Sequence, residues 1–427
     1  MGRTRTFVLA CAFAAVGTTA SPQELRRSGF IGVQVVEADG GVRVQALVDG
    51  GSAKVAGLQA NDIISGVDDH EIQNVPQFVS LVRELRAGDV RTLRVRRGGA
   101  MLEVSVPIRP RPYEQAPDVS VTYGAVAVDG SLRRTIITAP PGDARHPAVL
   151  YVNGIGCFSQ ESLDRTSNDA RLLYALTRAG FVTMRVEKSG MGDSEGPPCA
   201  SPDADFHAEI RAYTAGLRAL KSSPSVDPDA VFVMGLSIGG VEAPLIAAEE
   251  PVRGLIAINT VAKPLFEYLI DTRRRQLMLA GTPPDEIDRR MAMDVRCNHR
   301  LLVDKQKPDA IVGAMSDCGS YIEYPAPFTF MQQWADVNVA AAWKAIDRPV
   351  LIVYGESDFV STIADNGYFV AMINAFHPDR ATLKPIGGMD HGLNRAASMS
   401  QSFERKGPGE FNVAIVDVVI GWLRERV

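Results

Sequence analysis

Between residues 148 and 261 the sequence alternates short, almost wholly apolar runs with segments that carry apolar residues at helical spacing. "AVLYVNG" (148–154) precedes a helix expected to end near Gly180, and "FVTMRVE" (181–187) precedes one from about Asp205 to Ser222. "AVFVMGLS" (230–237) leads to a helix reaching Glu249, and "GLIAINTV" (254–261) follows. The pattern resumes with "PVLIVYG" (349–355), a helix near 363–376, "ATLKPIG" (381–387) and a last amphipathic helix, "NVAIVDVVIGWLRERV". Strands that are apolar throughout need cover on both faces, and strands separated by helices pair in parallel, so an α/β fold with a mostly parallel sheet is expected. The interruption at 262–345 is too long for a loop and is helix-rich, which predicts an inserted helical cap over the sheet edge where ligands bind. Ahead of the alternation, "VSVTYGAVAVDGSLRRTIITAP" predicts a hairpin turning at Asp129-Gly130.

The 427 residues are 46% hydrophobic and 22% charged, with a net charge of −5 and no basic run longer than Arg273-Arg274-Arg275. That balance argues against a nucleic-acid partner. "MGRTRTFVLACAFAAVGTTASPQ" has two arginines, an apolar stretch and then small residues, the layout of a secretory signal peptide cleaved after Ala20. Its apolar stretch is too short for a membrane span, and nothing later is long enough, so the mature chain is expected to be exported, periplasmic or secreted, without a membrane span. Cys157, Cys199, Cys297 and Cys318 would remain, an even number that in an oxidising compartment suggests two disulfides among three possible pairings. Buried free thiols are the alternative.

Residues 29–108 form a separate β-rich unit. "GFIGVQVV" and "GGVRVQALV" read as strands, "VPQFVSLVREL" as a helix, and "VRTLRVRRGGAMLEVSV" as a hairpin turning at Gly98-Gly99. With "GSAKVAGLQANDII" between them, this stretch resembles a PDZ domain of the permuted bacterial type. The resemblance implies a groove in which a C-terminal peptide adds as a strand. Phe30, Ile31, Gly32 and Val33 would form the carboxylate loop and strand, with Val79 and Val82 lining the groove from the helix. A packing module without a free ligand is the alternative. Asp68-Asp69-His70-Glu71 reads as solvated surface rather than a metal site. "IRPRPYEQAPD" reads as a linker, placed at 109–117.

Gly235-Leu236-Ser237-Ile238-Gly239 matches G-x-S-x-G between a strand and a helix. Such a turn projects the hydroxyl and leaves no room for side chains two positions away. An unassisted serine is a weak nucleophile and needs a base and an orienting acid. Asp358 and His391 fall after two later strands, where an acid and a base should, with Glu356 the second choice of acid. His207, His377 and His299 are placed less suitably. These residues make 118–427 resemble an α/β-hydrolase with an inserted cap (262–345), and "RVEKSGMGDSEG" is similar to a strand-end loop of its lipase-like and iminopeptidase-like members. Glu187 stands where those members often have Asp.

The resemblance implies a Ser237–Asp358–His391 triad and an oxyanion hole formed by the N–H of Ile238 with that of Ile155 or Gly156. The loops holding Cys157 and Cys199 would end neighbouring strands and could bridge, while Cys297 and Cys318 could staple the cap. Hydrolysis of a carboxylic ester through an acyl-enzyme is the expectation, cleavage of a peptide or amide the second reading, and a non-catalytic PDZ adaptor the third. No metal or cofactor is expected, since H-E-x-x-H, C-x-x-C and a phosphate loop are lacking. Phe266, Tyr268, Gln332, Gln333 and Trp334 are candidate pocket residues, each as readily packing. The arginine run could attract an acidic substrate. Terminal Val427 is a candidate ligand for a PDZ groove, with an ordinary exposed helix end the alternative.

Overall fold

The computed structural model describes residues 25–163 and 165–427, so the expected signal segment, 1–20, lies outside the described residues. The amino-terminal unit is an antiparallel sheet of β1 (Val33–Ala38), β2 (Gly41–Leu47), β3 (Ile63–Val67), β4 (His70–Glu71), β5 (Val90–Arg97) and β6 (Ala100–Pro107). Its order is β1-β2-β3-β5-β6, with β4 paired to β3. A short α1 (Ser52–Val55) and α2 (Val75–Glu84) complete it, α2 starting at Asn74, whose side chain accepts from the Gln77 N–H. Val42, Val44, Ile64, Phe78, Leu93 and Val95 fill a core of its own. β1 is an edge strand, and α2 packs beside it.

The larger unit is an eight-stranded sheet. A hairpin of β7 (Ser120–Val128) and β8 (Ser131–Ala139) turns at Asp129 and Gly130, both at positive φ as a type I′ turn requires. Six mutually parallel strands follow: β9 (His146–Val152), β10 (Val182–Val186), β11 (Val226–Leu236), β12 (Gly254–Ile258), β13 (Val350–Gly355) and β14 (Ala381–Ile386). The order is β14-β13-β12-β11-β9-β10-β8-β7. From β9 the chain moves outward to β10 and then returns to β11 on the other side. That reversal opens a crevice at the carboxyl ends of β9 and β11, where α/β sheets bind ligands.

Alternate residues of these strands feed two cores. Val149, Tyr151, Phe232, Met234, Ile256 and Val353 pack beneath α3 (Asn168–Arg178) and the last helix. Leu150, Val152, Val231, Val233, Leu255 and Ile352 face the opposite layer, which holds α4 (Phe206–Lys221) and α5 (Gly239–Glu249). The cap holds α6 (Leu265–Leu279), α7 (Pro284–Asn298), α8 (Pro308–Ala314), α9 (Phe328–Ala335) and α10 (Val339–Lys344). The remaining helices are α11 (Ile363–Phe376), α12 (Met399–Glu404) and α13 (Ala414–Arg424). A disulfide joins Cys297 to Cys318 within the cap, and another joins Cys157 to Cys199 across the loops after β9 and β10. No helix among the described residues is long and apolar enough to cross a membrane.

The stretch that reads as a linker is packed. Glu114, 2% exposed, takes a two-pronged pair of hydrogen bonds from Arg185 of β10 at 2.8 and 2.9 Å. Arg27 places its guanidinium on Glu161 and on Asp193 (2.9 Å), and Arg134 reaches the same Asp193 oxygen at 2.9 Å. The Ser28 N–H donates to Asp193 (2.7 Å) and the Ser28 hydroxyl to the Gly192 carbonyl (2.7 Å). Proline and charge read as a linker; Arg109 and Asp118 of that stretch stay exposed, while Glu114 and the Arg27–Asp193 cluster are interior to the contact with the larger sheet.

Candidate active site

Ser237 leaves β11 at φ 56, in the left-handed region that a non-glycine residue occupies only under constraint. The flanking glycines are steric necessities. A Cβ at Gly235 would lie 2.1 Å from the Gly239 carbonyl oxygen, and one at Gly239 would lie 2.2 Å from that of Val152. The Ser237 N–H donates to the Ile258 carbonyl (2.9 Å), so the elbow is pinned to the end of β12. Among the described residues its hydroxyl has no hydrogen-bond partner.

Asp358, fully buried after β13, accepts from the Val360 N–H (2.7 Å), the Ser361 hydroxyl (2.8 Å) and His391 Nδ1 (2.9 Å). Burial, the largest influence on the imidazole, pulls its pKa down. The Asp358 charge, its hydrogen bond and nearby Asp390 outweigh that, so His391 titrates above the ordinary histidine value. The ion pair of His391 is with Asp358, and no hydrogen bond or ion pair joins it to Glu356, the second choice of acid.

Several residues that position these groups carry no motif. Asn259, 1% exposed and at φ 48, follows the carbonyl that holds Ser237. Its side-chain amide donates to the carbonyls of Asp390 (3.0 Å) and His391 (3.1 Å), and its side-chain oxygen accepts from the Gly355 N–H (2.8 Å). One residue therefore ties the elbow, the acid strand and the base loop together. Asp390 accepts from the Asn394 N–H and from Arg405, and Asn168 donates to the Gly392 carbonyl (2.7 Å), closing the base loop. From the cap, Arg275 donates to the carbonyls of Phe359 and Val360 (both 2.9 Å) and so holds the acid loop. An asparagine at a strand end, where the left-handed conformation suits it, was the available signal.

Gly154 lies against the elbow, its ideal Cβ 3.7 Å from that of Ser237. The N–H groups of Ile155, Gly156 and Ile238 make no hydrogen bond among the described residues. They are open donors in the elbow and in the loop that Gly154 begins. Glu187 is buried, and burial pushes its carboxyl up to about 7 although the Ser159 hydroxyl and the Gln160 N–H favour the charged form. It serves the packing of the loop after β9. A cavity of about 120 Å³ opens beside Gly156, Lys188, Cys199, Glu209 and Phe330; Ser237 is not among its lining residues.

The other candidates separate clearly. Arg273 faces Asp294 (3.7 Å), Arg274 faces Asp288 (3.1 Å) and Arg275 lies 4.0 Å from Asp365, so each arginine of the run has an acidic neighbour. Gln332 bonds the carbonyls of Leu301 and Gln306, Gln333 accepts from the His207 N–H, and Phe266 packs edge-on to His299. Tyr268 rests against buried Trp334, and its phenol is raised by burial first, with Asp358 adding to the shift. Asp68 accepts from the Thr92 N–H and pairs with Arg91, and no metal-holding cluster occurs among the described residues. In the amino-terminal unit a small apolar pocket lies between Ile31, Phe78, Leu81, Val82 and Leu85; Val79 is outside it, one helical step round α2. The N–H groups of Ile31 and Gly32 are unbonded among the described residues, whereas that of Phe30 is taken by Arg109. Val33 opens the edge strand β1. Val427 is exposed, and the preceding carbonyl is held by Arg253 at the far end of β12.

A model of the alpha/beta hydrolase family matches residues 149–396, and a PDZ domain model matches 29–108. Esterase EstD of Thermotoga maritima is 20% identical over 293 residues, covering 67% of this chain and 64% of that protein. The putative esterase NocK of Nocardia uniformis subsp. tsuyamanensis is 32% identical over 146 residues, 33% of this chain and 41% of the relative. The chain thus spans less than two thirds of each. Est1E from Butyrivibrio proteoclasticus with ferulic acid bound covers 71% of this chain and 98% of its own at 16% identity, with a TM-score of 0.46. With its family model spanning more than half of it, the chain belongs to the alpha/beta hydrolase family and carries a PDZ domain ahead of the hydrolase sheet.

Proposed function

We propose that the protein is an exported serine hydrolase that cleaves a carboxylic ester. The observation that carries the reading is the strained elbow at Ser237 joined, through Ile258 and Asn259, to the loop of His391, whose ring bonds buried Asp358. His391, its Nδ1–H directed at Asp358, presents Nε2 as the base. It takes the Ser237 proton as the hydroxyl attacks the ester carbonyl, and the oxyanion is received by the N–H groups of Ile238 and Ile155 or Gly156. Collapse expels the alcohol, protonated by His391, and leaves an acyl-enzyme. Water, deprotonated by the same imidazole, releases the acid and restores Ser237. The two disulfides suit an oxidising compartment. The PDZ groove, with open N–H groups at Ile31 and Gly32 above an apolar pocket, suits a chain terminus, and this favours peptide cleavage as the second reading.

Labelling by a fluorophosphonate that disappears in Ser237→Ala tests the catalytic reading against the non-catalytic adaptor. Turnover of p-nitrophenyl esters with none of amino-acid arylamides is expected. The opposite preference would assign the site to peptides, and absence of labelling would remove the enzyme.

A further inference from the structure

One buried cation beside this site has no part in the triad. Lys188, whose side chain is 3% exposed, follows β10 by two residues and turns under the loop after β9. Its ammonium donates to the Gly154 carbonyl at 2.8 Å and sits 2.8 Å from a Glu209 oxygen in the first turn of α4. The Phe158 ring stands 5.9 Å from it on the loop itself. A third group, Glu242 on α5, is fully buried and has no hydrogen-bond partner among the described residues. Burial, with Glu209 adding, drives its carboxyl strongly toward the neutral form against the opposing pull of Lys188. Burying an ammonium is costly, and a buried pair is weak evidence of stabilisation by itself. The identity of the carbonyl it meets is therefore informative.

The Gly154 carbonyl and the Ile155 N–H belong to one peptide unit. That unit is planar and trans, so its N–H points opposite to its carbonyl, and fixing one direction fixes the other. A cation on the carbonyl oxygen also draws electron density through the amide and strengthens the N–H as a donor. The preceding unit is held too, because the Gly154 N–H donates to the Asn153 side chain at 2.6 Å. The next side chain but one, Cys157, is tied to Cys199. We infer that Lys188 is a positioning residue for ester hydrolysis: its ammonium orients and polarises the 154–155 peptide, making Ile155, rather than Gly156, the second oxyanion donor. This rests on the proposed serine-hydrolase reading.

The test compares Lys188→Met, Lys188→Arg and Glu209→Gln with the intact protein. Readouts are p-nitrophenyl butyrate kinetics, inhibition by an alkyl boronic acid that mimics the tetrahedral state, and the rate at which a fluorophosphonate labels Ser237. Deleting an oxyanion donor outright costs about 100- to 1000-fold in kcat, so losing its orientation is expected to cost roughly 10- to 100-fold. In Lys188→Met, kcat and labelling rate fall by that factor, boronate affinity falls in step, and KM stays within about twofold, since the ground-state carbonyl makes little use of the donor. Lys188→Arg regains part of the loss, and Glu209→Gln, which keeps the ammonium on Gly154, stays within about threefold of the intact protein. A boronate affinity unchanged in Lys188→Met overturns the inference, as does a loss in Glu209→Gln equal to that in Lys188→Met. Should Lys188→Met fail to fold, Lys188→Gln, which keeps a donor but loses the charge, takes its place in the same two comparisons. If the intact protein neither labels nor hydrolyses, the parent reading fails instead, a result distinct from labelling that is indifferent to Lys188.

Discussion

Asp193 and Asp358 are both buried aspartates in loops after parallel strands, and they have been given opposite partners. Asp193 receives Arg27 and Arg134, two cations that never lose their protons, together with the Ser28 N–H. Asp358 receives two neutral donors and one imidazole, which gains and loses a proton near neutrality. The first cluster is saturated and static, and it fixes the PDZ domain against the hydrolase sheet. The second leaves one ring nitrogen of His391 open. The same acid in similar burial thus makes a joint or a proposed catalytic device according to whether its cation can be switched off.

Exchanging that property should break the comparison at each cluster differently. In Asp358→Asn the imidazole loses its anionic partner while the loop keeps an acceptor, and ester kcat is expected to fall about 10⁴-fold. Steady-state kinetics beside a denaturant melt would show activity lost well ahead of stability. Asp193→Ala leaves buried Arg134 without its acidic partner and Arg27 with Glu161 alone, and a loss of about 3–5 kcal/mol in unfolding free energy is expected. A melt as steep and as late as that of the intact protein would mean that the joint is cosmetic. Asn259→Ala removes three hydrogen bonds among the elbow, acid and base segments, for about 1–3 kcal/mol. The smallest effect is in pH.

Because His391 titrates above its usual value, and only the neutral ring can accept the Ser237 proton, the acid limb of kcat/KM should lie on the alkaline side of an ordinary histidine. Asp358→Asn should move the residual limb to lower pH. A raised folded-state value also means that this imidazole contributes stability fully present below its unfolded pKa and lost as pH rises through the folded one. The stability advantage of the intact protein over Asp358→Asn should therefore shrink across that window, which paired melts from mildly acidic to mildly alkaline pH would read.

What could be read from the chain follows from how local each cause is. The elbow is legible because Gly235 and Gly239 collide with backbone only a few residues away or on the adjacent strand, so the requirement is written as spacing. The strand–helix alternation is legible because cover on both faces leaves the strands almost wholly apolar, Arg185 of β10 being an exception that Glu114 matches. The joint is not legible. Arg27 meets partners 134 and 166 residues distant, and until the sheet has formed each member looks like solvated surface. Val79 was expected at the PDZ groove because the helix was recognised but its rotation about β1 was not. Lys188 bonds a carbonyl oxygen, which leaves no signature in residue type, and Asn259 shows only as an asparagine at a strand end.

The anchoring of Ser28 has a geometric corollary. Only one residue separates it from Phe30, where the proposed carboxylate loop begins, so that loop is bolted to the segment following β10 rather than suspended from a string of prolines. With a flexible tether, the reach between two binding sites is an average over chain conformations. Here the span from groove to crevice is a constant of the architecture. A polypeptide laid along β1 would meet the hydrolase at one angle and one distance, so its length alone would decide whether it could arrive.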